Sequence, residues 1–383
     1  MQIPSYPQSF LSPGDVVNLV NLYVDKSPIP GVFNFRRLIK TRLAFANVRK
    51  GVSNAKIAFV GDSTMRGQGS AAGTAQALNG LTVQAAAILN SKTGLVCRGQ
   101  NLWGSGNATL GSFDSRVTLS SWAPTGTLFG PGGPRLAASG AGTMLFAPTE
   151  ATFDTCDVYY CNNAAGVFTV NFDAGATINT ITETSAGTLA VQTNVGTLGT
   201  HTVNLPWVSG SPSIMALDCY NSAIKQVSFW NMGWLGATTN TWLTNNSKGW
   251  DPLTALASAT LGQDCTVISL GINDYSGTPV AVDVPTYISN LTAIVNACKT
   301  NGGDVILLTP FPSDSTVAPI DVQASYTAAC YTVSIATNST LIDTTFLFDG
   351  ARYASFYSDT KHLNGPGYSD VGAVVSRVLA LAA

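Results

Sequence analysis

Apolar residues in this chain fall into short β-branched runs and longer stretches with helical spacing, and the two textures alternate along much of its length. Lys-Ile-Ala-Phe-Val at 56–60 is the first compact run, closed by Gly61, and residues 81–92 carry a helical pattern behind it. Toward the other end, Cys-Thr-Val-Ile-Ser-Leu at 265–270, Asp-Val-Ile-Leu-Leu-Thr at 304–309 and the run 340–343 repeat the texture. Helices are predicted between and after them at 284–300, 320–337 and 367–382. Short apolar strands separated by helices predict a parallel sheet covered on both faces, a three-layer α/β/α domain.

From about 104 to 221 the pattern changes. Thr, Gly, Ala, Asn and Ser dominate, and alternating runs at 151–160, 166–173, 188–193, 201–208 and 213–218 are separated by turn-prone segments. That spacing predicts an antiparallel, jelly-roll-like β-sandwich spliced into the α/β domain. The expected division is an N-terminal segment over 1–50, the first part of the α/β domain over 51–103, the insert over 104–222 and the second part over 223–383. Within the N-terminal segment, 1–30 is rich in Pro and Asn, with a short helix predicted at 14–23. Residues 33–50 carry Arg36, Arg37, Lys40, Arg42, Arg49 and Lys50. The interleaved Phe35, Leu38, Ile39, Leu43, Phe45 and Val48 favour an amphipathic segment packed on the body over an anion site.

Composition narrows the options. A length of 383 residues exceeds the ~100–200 of a usual domain, in keeping with an insertion. With 45% apolar and 10% charged residues the chain folds, and a net charge of −2 gives no general attraction to nucleic acid or anionic membrane. No stretch approaches the roughly 18–20 apolar residues of a membrane span, and residues 1–13 lack the basic start and apolar centre of a signal peptide. A soluble protein is expected. An extracellular or virion location would need a removed leader, lysis or assembly into a particle, and a cytoplasmic one stays open.

Seven scattered cysteines, an odd number, argue against a disulfide framework. Cys156 and Cys161, flanking a predicted strand end, are the one pair considered for bridging, and buried thiols are expected elsewhere. Only two histidines, His201 and His362, and two glutamates, Glu150 and Glu183, are present, so a His-rich metal centre is excluded and no cofactor is called for.

Three polar motifs lie where open α/β sheets place their ligands. Gly61-Asp62-Ser63-Thr64 and Gly271-Ile272-Asn273-Asp274 each follow a predicted strand, and Asp359-Thr360-Lys361-His362 precedes the last helix. Taken singly, each suits helix capping. Taken together, they supply a hydroxyl, an imidazole to accept its proton and a carboxylate to hold the imidazole. His201 sits in an alternating run of the insert and is read as a strand residue, while Asp62 and Asp274 are expected to brace their loops. No G-x-S-x-G elbow, Walker-type loop or dinucleotide fingerprint occurs.

In that order the motifs resemble those of the SGNH hydrolases, the GDSL-type esterases and lipases, over 56–97 and 227–383. The resemblance implies Ser63 as nucleophile, His362 as base and Asp359 as its acidic partner. It implies an oxyanion hole from the Ser63 and Gly236 N–H groups and the Asn273 amide. Gly236 is chosen within the run Asn231 to Thr239 for its place before the small-Thr-Thr tail, with Gly233 as fallback, and a side chain at 236 is expected to crowd the acyl group. Thr64 departs from the Leu of the family name. The separation of 173 positions from Ser63 to Gly236 leaves room for a sandwich, as in polysaccharide-directed members, including esterases on bacteriophage tails. Of Trp230, Trp234, Trp242 and Trp250, Trp234 is the one expected to contact substrate.

The implied function is a metal-independent serine esterase that removes O-acetyl groups from a polysaccharide. Two alternatives stand beside it: a short-chain or aryl esterase or lipase acting on small esters, and a catalytically idle glycan-binding protein of a virion or surface.

Overall fold

A computed structural model describes residues 28–99, 101–106, 110–149, 151–163, 165–244, 247–277, 279–348 and 354–383. The helix expected at 14–23 lies outside them. β1 (Val32–Phe33) and α1 (Ile39–Arg49) lead into β2 (Ala55–Gly61), α2 (Ser63–Arg66) and α3 (Leu81–Thr93). β3 (Cys97–Arg98), β4 (Leu102–Trp103) and α4 (Leu110–Phe113) open the middle of the chain. There follow β5 (Val117–Leu119), β6 (Trp122–Gly130), β7 (Gly133–Ala138), β8 (Thr143–Phe146) and β9 (Phe153–Cys161). Next come β10 (Val167–Phe172), β11 (Thr177–Thr182), β12 (Leu189–Gly199), β13 (Val203–Ser209) and β14 (Ser213–Tyr220). The chain continues with β15 (Val227–Gly233), α5 (Thr239–Leu243), α6 (Pro252–Leu256) and β16 (Cys265–Ser269). It ends with α7 (Val284–Lys299), β17 (Asp304–Leu308), α8 (Ile320–Thr337), β18 (Thr340–Ile342) and α9 (Gly365–Ala380).

The central sheet has the order β1-β18-β17-β16-β2-β15-β3 and is parallel except for β1, which pairs antiparallel with β18. Strand periodicity sorts its side chains into two layers. Ile57 and Phe59 of β2 share a core with Phe45 of α1, Leu89 of α3 and Val371 of α9. Ala58 and Val60 share the opposite core with Trp242 of α5, Ile294 of α7 and Val333 of α8. The helices begin where the sequence supplies caps: Asp283 accepts from Thr286 N–H at α7, and Asn364 from Gly367 N–H at α9.

The middle of the chain forms two antiparallel sheets, β11-β10-β13-β8-β5 and β12-β9-β14-β7-β6. Phe146, Phe168 and Leu205 of the first share a core with Leu136, Val158 and Leu217 of the second. The second sheet turns its other face to the α/β body, where Tyr159, Cys161 and Met215 join the core containing Trp230 and Met232. β14 is therefore buried along nearly its whole length.

Several expectations change. Strands β5 to β8, β11 and β15 were not expected; β15 carries Ser228 and Asn231 inside an otherwise apolar run, yet all of it is buried. Leu38, at the start of α1, and Phe45 and Val48 within it are buried, but Ile39 and Leu43 are 70% and 59% exposed, because the helical period places them on the outer face. His201 lies in the connection between β12 and β13, not in a strand. Cys156 and Cys161 are unbridged: five residues apart on β9, they point to opposite faces of the sheet. All seven cysteines are buried free thiols. Among the described residues, no helix is long and apolar enough to cross a membrane.

Candidate active site

The site is assembled at the C-terminal ends of β2, β15 and β16 and at the entry to α9. At Gly61 the backbone passes so close to the next strand that a Cβ would stand 2.3 Å from the Ser269 carbonyl oxygen, which leaves glycine as the fitting residue. Asp62 caps α2, its Oδ1 accepting from the Thr64 N–H at 2.8 Å and the Thr64 hydroxyl at 2.7 Å. Thr64, where the resemblance has Leu, thus holds the loop instead of filling it. Burial pushes the Asp62 carboxyl up to about 7 against those hydrogen bonds, with the Asp274 charge adding to the rise and Lys361 opposing it.

Ser63, at the first position of α2, is buried, and its Oγ lies 2.8 Å from His362 Nε2. The opposite ring nitrogen, Nδ1, is 2.7 Å from Asp359 Oδ2. Asp359 Oδ1 accepts the backbone N–H groups of Lys361 at 2.7 Å and His362 at 2.8 Å, so both residues of the motif are held by one short loop. Partial burial works to raise the Asp359 carboxyl, but hydrogen bonds from the His362 ring and these two N–H groups outweigh it and hold it below its ordinary value. An ionised carboxylate only accepts, which puts the imidazole proton on Nδ1 and leaves the Nε2 lone pair facing the Ser63 hydroxyl.

Beside this trio is the turn after β15. Gly236 has φ +74°, the left-handed region, and a Cβ built there meets nothing within 4 Å. The left-handed backbone favours glycine here, and the space a Cβ would take is empty of protein atoms. Its N–H finds no acceptor among the described residues, and the same holds for the N–H of Ser63. Gly233, by contrast, donates its N–H to Asn231 Oδ1 at 3.1 Å and would carry a Cβ only 2.2 Å from Arg66 N. Asn273 Nδ2 donates to the Ala237 carbonyl at 3.1 Å, placing that amide against the Gly236 turn with one N–H to spare. Asp274 braces the same region, its Oδ1 accepting the Thr239 N–H at 2.9 Å and hydroxyl at 2.5 Å, and burial raises its carboxyl to about 6.

Trp234 is 8% exposed; its ring stacks on Phe129 at 5.0 Å between centroids and meets Trp242 edge-on. Phe129 covers one face of the indole, and little of the side chain reaches the surface. Trp230, Trp242 and Trp250 are fully buried. Sequence reasoning missed Arg66, whose buried guanidinium donates to the carbonyls of Trp103 at 2.6 Å and Gly104 at 3.3 Å. Burial lowers its pKa to about 10, so it remains charged at neutral pH. Its place three residues after Ser63 was the only available signal. Among the described residues no cluster of His, Cys, Asp or Glu could hold a metal ion.

A hydroxyl against an imidazole whose far nitrogen meets a carboxylate, next to unclaimed N–H groups, is an arrangement suited to acyl transfer. Comparison with known proteins agrees in class. Residues 207–369 match the model of the GDSL-like lipase/acylhydrolase family. Ser63 falls outside the matched stretch.

A solved peptidoglycan O-acetylesterase superposes with a TM-score of 0.67 at 15% identity, covering 88% of this chain and 94% of that one, which establishes a shared fold. A lipase/acylhydrolase from Enterococcus faecalis aligns at 26% identity over 41% of this chain and 77% of its own, with a TM-score of 0.33. A catalytic mutant of an acetylxylan esterase from Geobacillus stearothermophilus aligns at 19% identity over 41% and 73%, with a TM-score of 0.32. Neither of these two superpositions is close enough to bear on the fold. No curated protein matches the sequence.

Proposed function

We propose that the protein is a metal-independent serine esterase of the SGNH type that removes O-acetyl groups from a polysaccharide. The observation that carries the reading is the continuous line from Ser63 Oγ through the His362 ring to Asp359, at 2.8 and 2.7 Å, beside the free N–H groups of Ser63 and Gly236. In this mechanism Ser63 Oγ bonds to the acetyl carbon as its proton passes to His362 Nε2. The carbonyl π pair moves onto oxygen, where the two N–H groups and the Asn273 amide receive the negative charge. Collapse of the tetrahedral species breaks the bond to the sugar oxygen, which takes the proton from His362 and leaves as the alcohol. Water then repeats the sequence on the acetyl-Ser63 ester and releases acetate.

In this reading residues 51–103 and 223–383 form the hydrolase domain, 104–222 form an inserted jelly-roll-like β-sandwich, and 1–50 pack on the body. The sandwich supplies a surface for a glycan chain beside the site. Support for the polysaccharide comes from the length of the insert and from the fold shared with a peptidoglycan O-acetylesterase.

The test is hydrolysis of p-nitrophenyl acetate by wild type and Ser63→Ala, followed by acetate release from acetylated polysaccharides. Ser63→Ala is expected to lose at least about 10³ in kcat. Equal rates in the two proteins would refute the nucleophile, and turnover confined to long acyl esters would remove the glycan.

A further inference from the structure

The turn Trp234 to Ala237, which presents the Gly236 N–H, leans on the two-sheet segment as much as on the parallel sheet. From the body, the Gly61 carbonyl accepts the Trp234 N–H at 3.0 Å and Asn273 Nδ2 reaches the Ala237 carbonyl. From the other side, the Gly106 carbonyl accepts the Leu235 N–H at 3.1 Å, and Gly106 N–H is in turn fixed on the Gly132 carbonyl at 2.8 Å. Phe129 of β6 lies against the Trp234 ring with planes 21° apart.

There is little slack in this contact. A Cβ on Gly106 would stand 3.0 Å from both Arg66 Nε and Leu235 Cδ1, and one on Gly133 would stand 2.9 Å from Trp234 Cδ1. Arg66 closes the frame, since it leaves the nucleophile's own helix to hold the Trp103 and Gly104 carbonyls at the mouth of the same segment. The nucleophile helix, the Gly236 turn and the insert are thereby locked to one another.

We propose that the insert is part of the machinery that shapes the oxyanion hole, with Phe129 and Gly106 as positioning residues that set where the Gly236 N–H points. The inference rests on the esterase reading above and deepens it: the insert contributes to the chemical step as well as to holding a polymer. A donor displaced by about 1 Å can cost as much as 10² in rate, whereas ground-state binding of a small acetyl ester barely uses the hole.

The experiment measures kcat and KM on p-nitrophenyl acetate together with inhibition by a small alkylboronic acid, which forms a tetrahedral adduct on a serine hydroxyl. Phe129→Leu keeps an apolar side chain and removes the stacked ring. It is expected to lower kcat roughly ten-fold and weaken boronate inhibition by a similar factor, with KM within about two-fold. Phe129→Tyr restores both, and Val195→Ser, on the exposed face of β12 in the same insert, behaves as wild type.

Wild-type kcat and boronate affinity in Phe129→Leu, or a rise in KM alone, would overturn the positioning role. Gly106→Ala, read by the same two constants, decides the matter should Phe129→Leu fail to fold. Ser63→Ala run alongside separates the failures: full activity there sinks the esterase reading itself, while a dead Ser63→Ala beside an unaffected Phe129→Leu sinks only the role of the insert.

Discussion

The two histidines of this chain make the same contact in two different regions, with different consequences. His362, at the end of the parallel sheet, and His201, between two strands of the insert, each hold an aspartate oxygen against Nδ1, at 2.7 Å for Asp359 and 2.5 Å for Asp173. What differs is the far side of the ring. His362 Nε2 faces the Ser63 hydroxyl, which can donate, so the imidazole can stay neutral and keep a lone pair for that proton. His201 Nε2 faces the Thr197 carbonyl at 2.8 Å, which can only accept, so both ring nitrogens are set to donate and the protonated ring is favoured. Its ring also stacks on Phe172. Burial works to lower the His201 pKa, but hydrogen bonds to Asp173 and the Thr197 carbonyl outweigh it and raise it. An imidazole paired with a carboxylate is thus a clamp in one setting and a candidate base in the other, and the partner of Nε2 decides which.

The largest effect that could break this contrast is on turnover. His362→Ala is expected to cost about 10³ or more in kcat on p-nitrophenyl acetate, and His201→Ala to leave kcat unchanged. Loss of activity in both, with both proteins folded by circular dichroism, would erase the distinction. A smaller effect separates the carboxylates: Asp359→Asn is expected to lower kcat by about 10²–10⁴, through loss of the tautomer and of charge opposite the imidazolium, whereas Asp173→Asn keeps wild-type kinetics.

The smallest effect is on stability. The raised His201 pKa means its contribution is fully present below the ordinary value of 6.5 and is lost as pH rises through the folded value. Asp173 is held low, chiefly by its hydrogen bond from His201, so its contribution is present above 3.8 and disappears as pH falls through its folded value. The melting-temperature gap between wild type and His201→Ala should therefore be widest near pH 5–6, about 1 °C for so exposed a pair, and narrow above pH 8. A gap that widens with pH would contradict the cationic assignment.

Much of the α/β body was legible in the sequence. Runs such as 304–309 and 320–337 are continuous or helically spaced apolar segments, and they appear as β17 and α8 with ends shifted by no more than a residue. β15 was not legible, because Ser228 and Asn231 interrupt its apolar pattern for local reasons: Asn231 holds the Arg66 carbonyl and the Gly233 N–H. In the insert, β6 carries Pro124 and a register irregularity between Pro124 and Phe129, and β11 is a largely exposed edge, so neither shows a clean two-residue alternation. The stacking of Trp234 on Phe129 was not legible either, since the two rings lie 105 positions apart in the chain.

From the residues alone came the chemistry that was possible: two histidines, no metal ligands in a usable pattern, and short polar motifs at strand ends where a parallel sheet leaves its carboxyl edge open. Those are local properties, set by side-chain type and by the period of a strand or a helix. Which histidine meets a hydroxyl and which a carbonyl, which glycine keeps a free N–H, and that the two-sheet segment packs against the turn beside Ser63 were decided only by folding. Ser63 and His362 come to hydrogen-bond distance across 299 positions, and Phe129 and Trp234 stack across 105; neither composition nor periodicity encodes such separations.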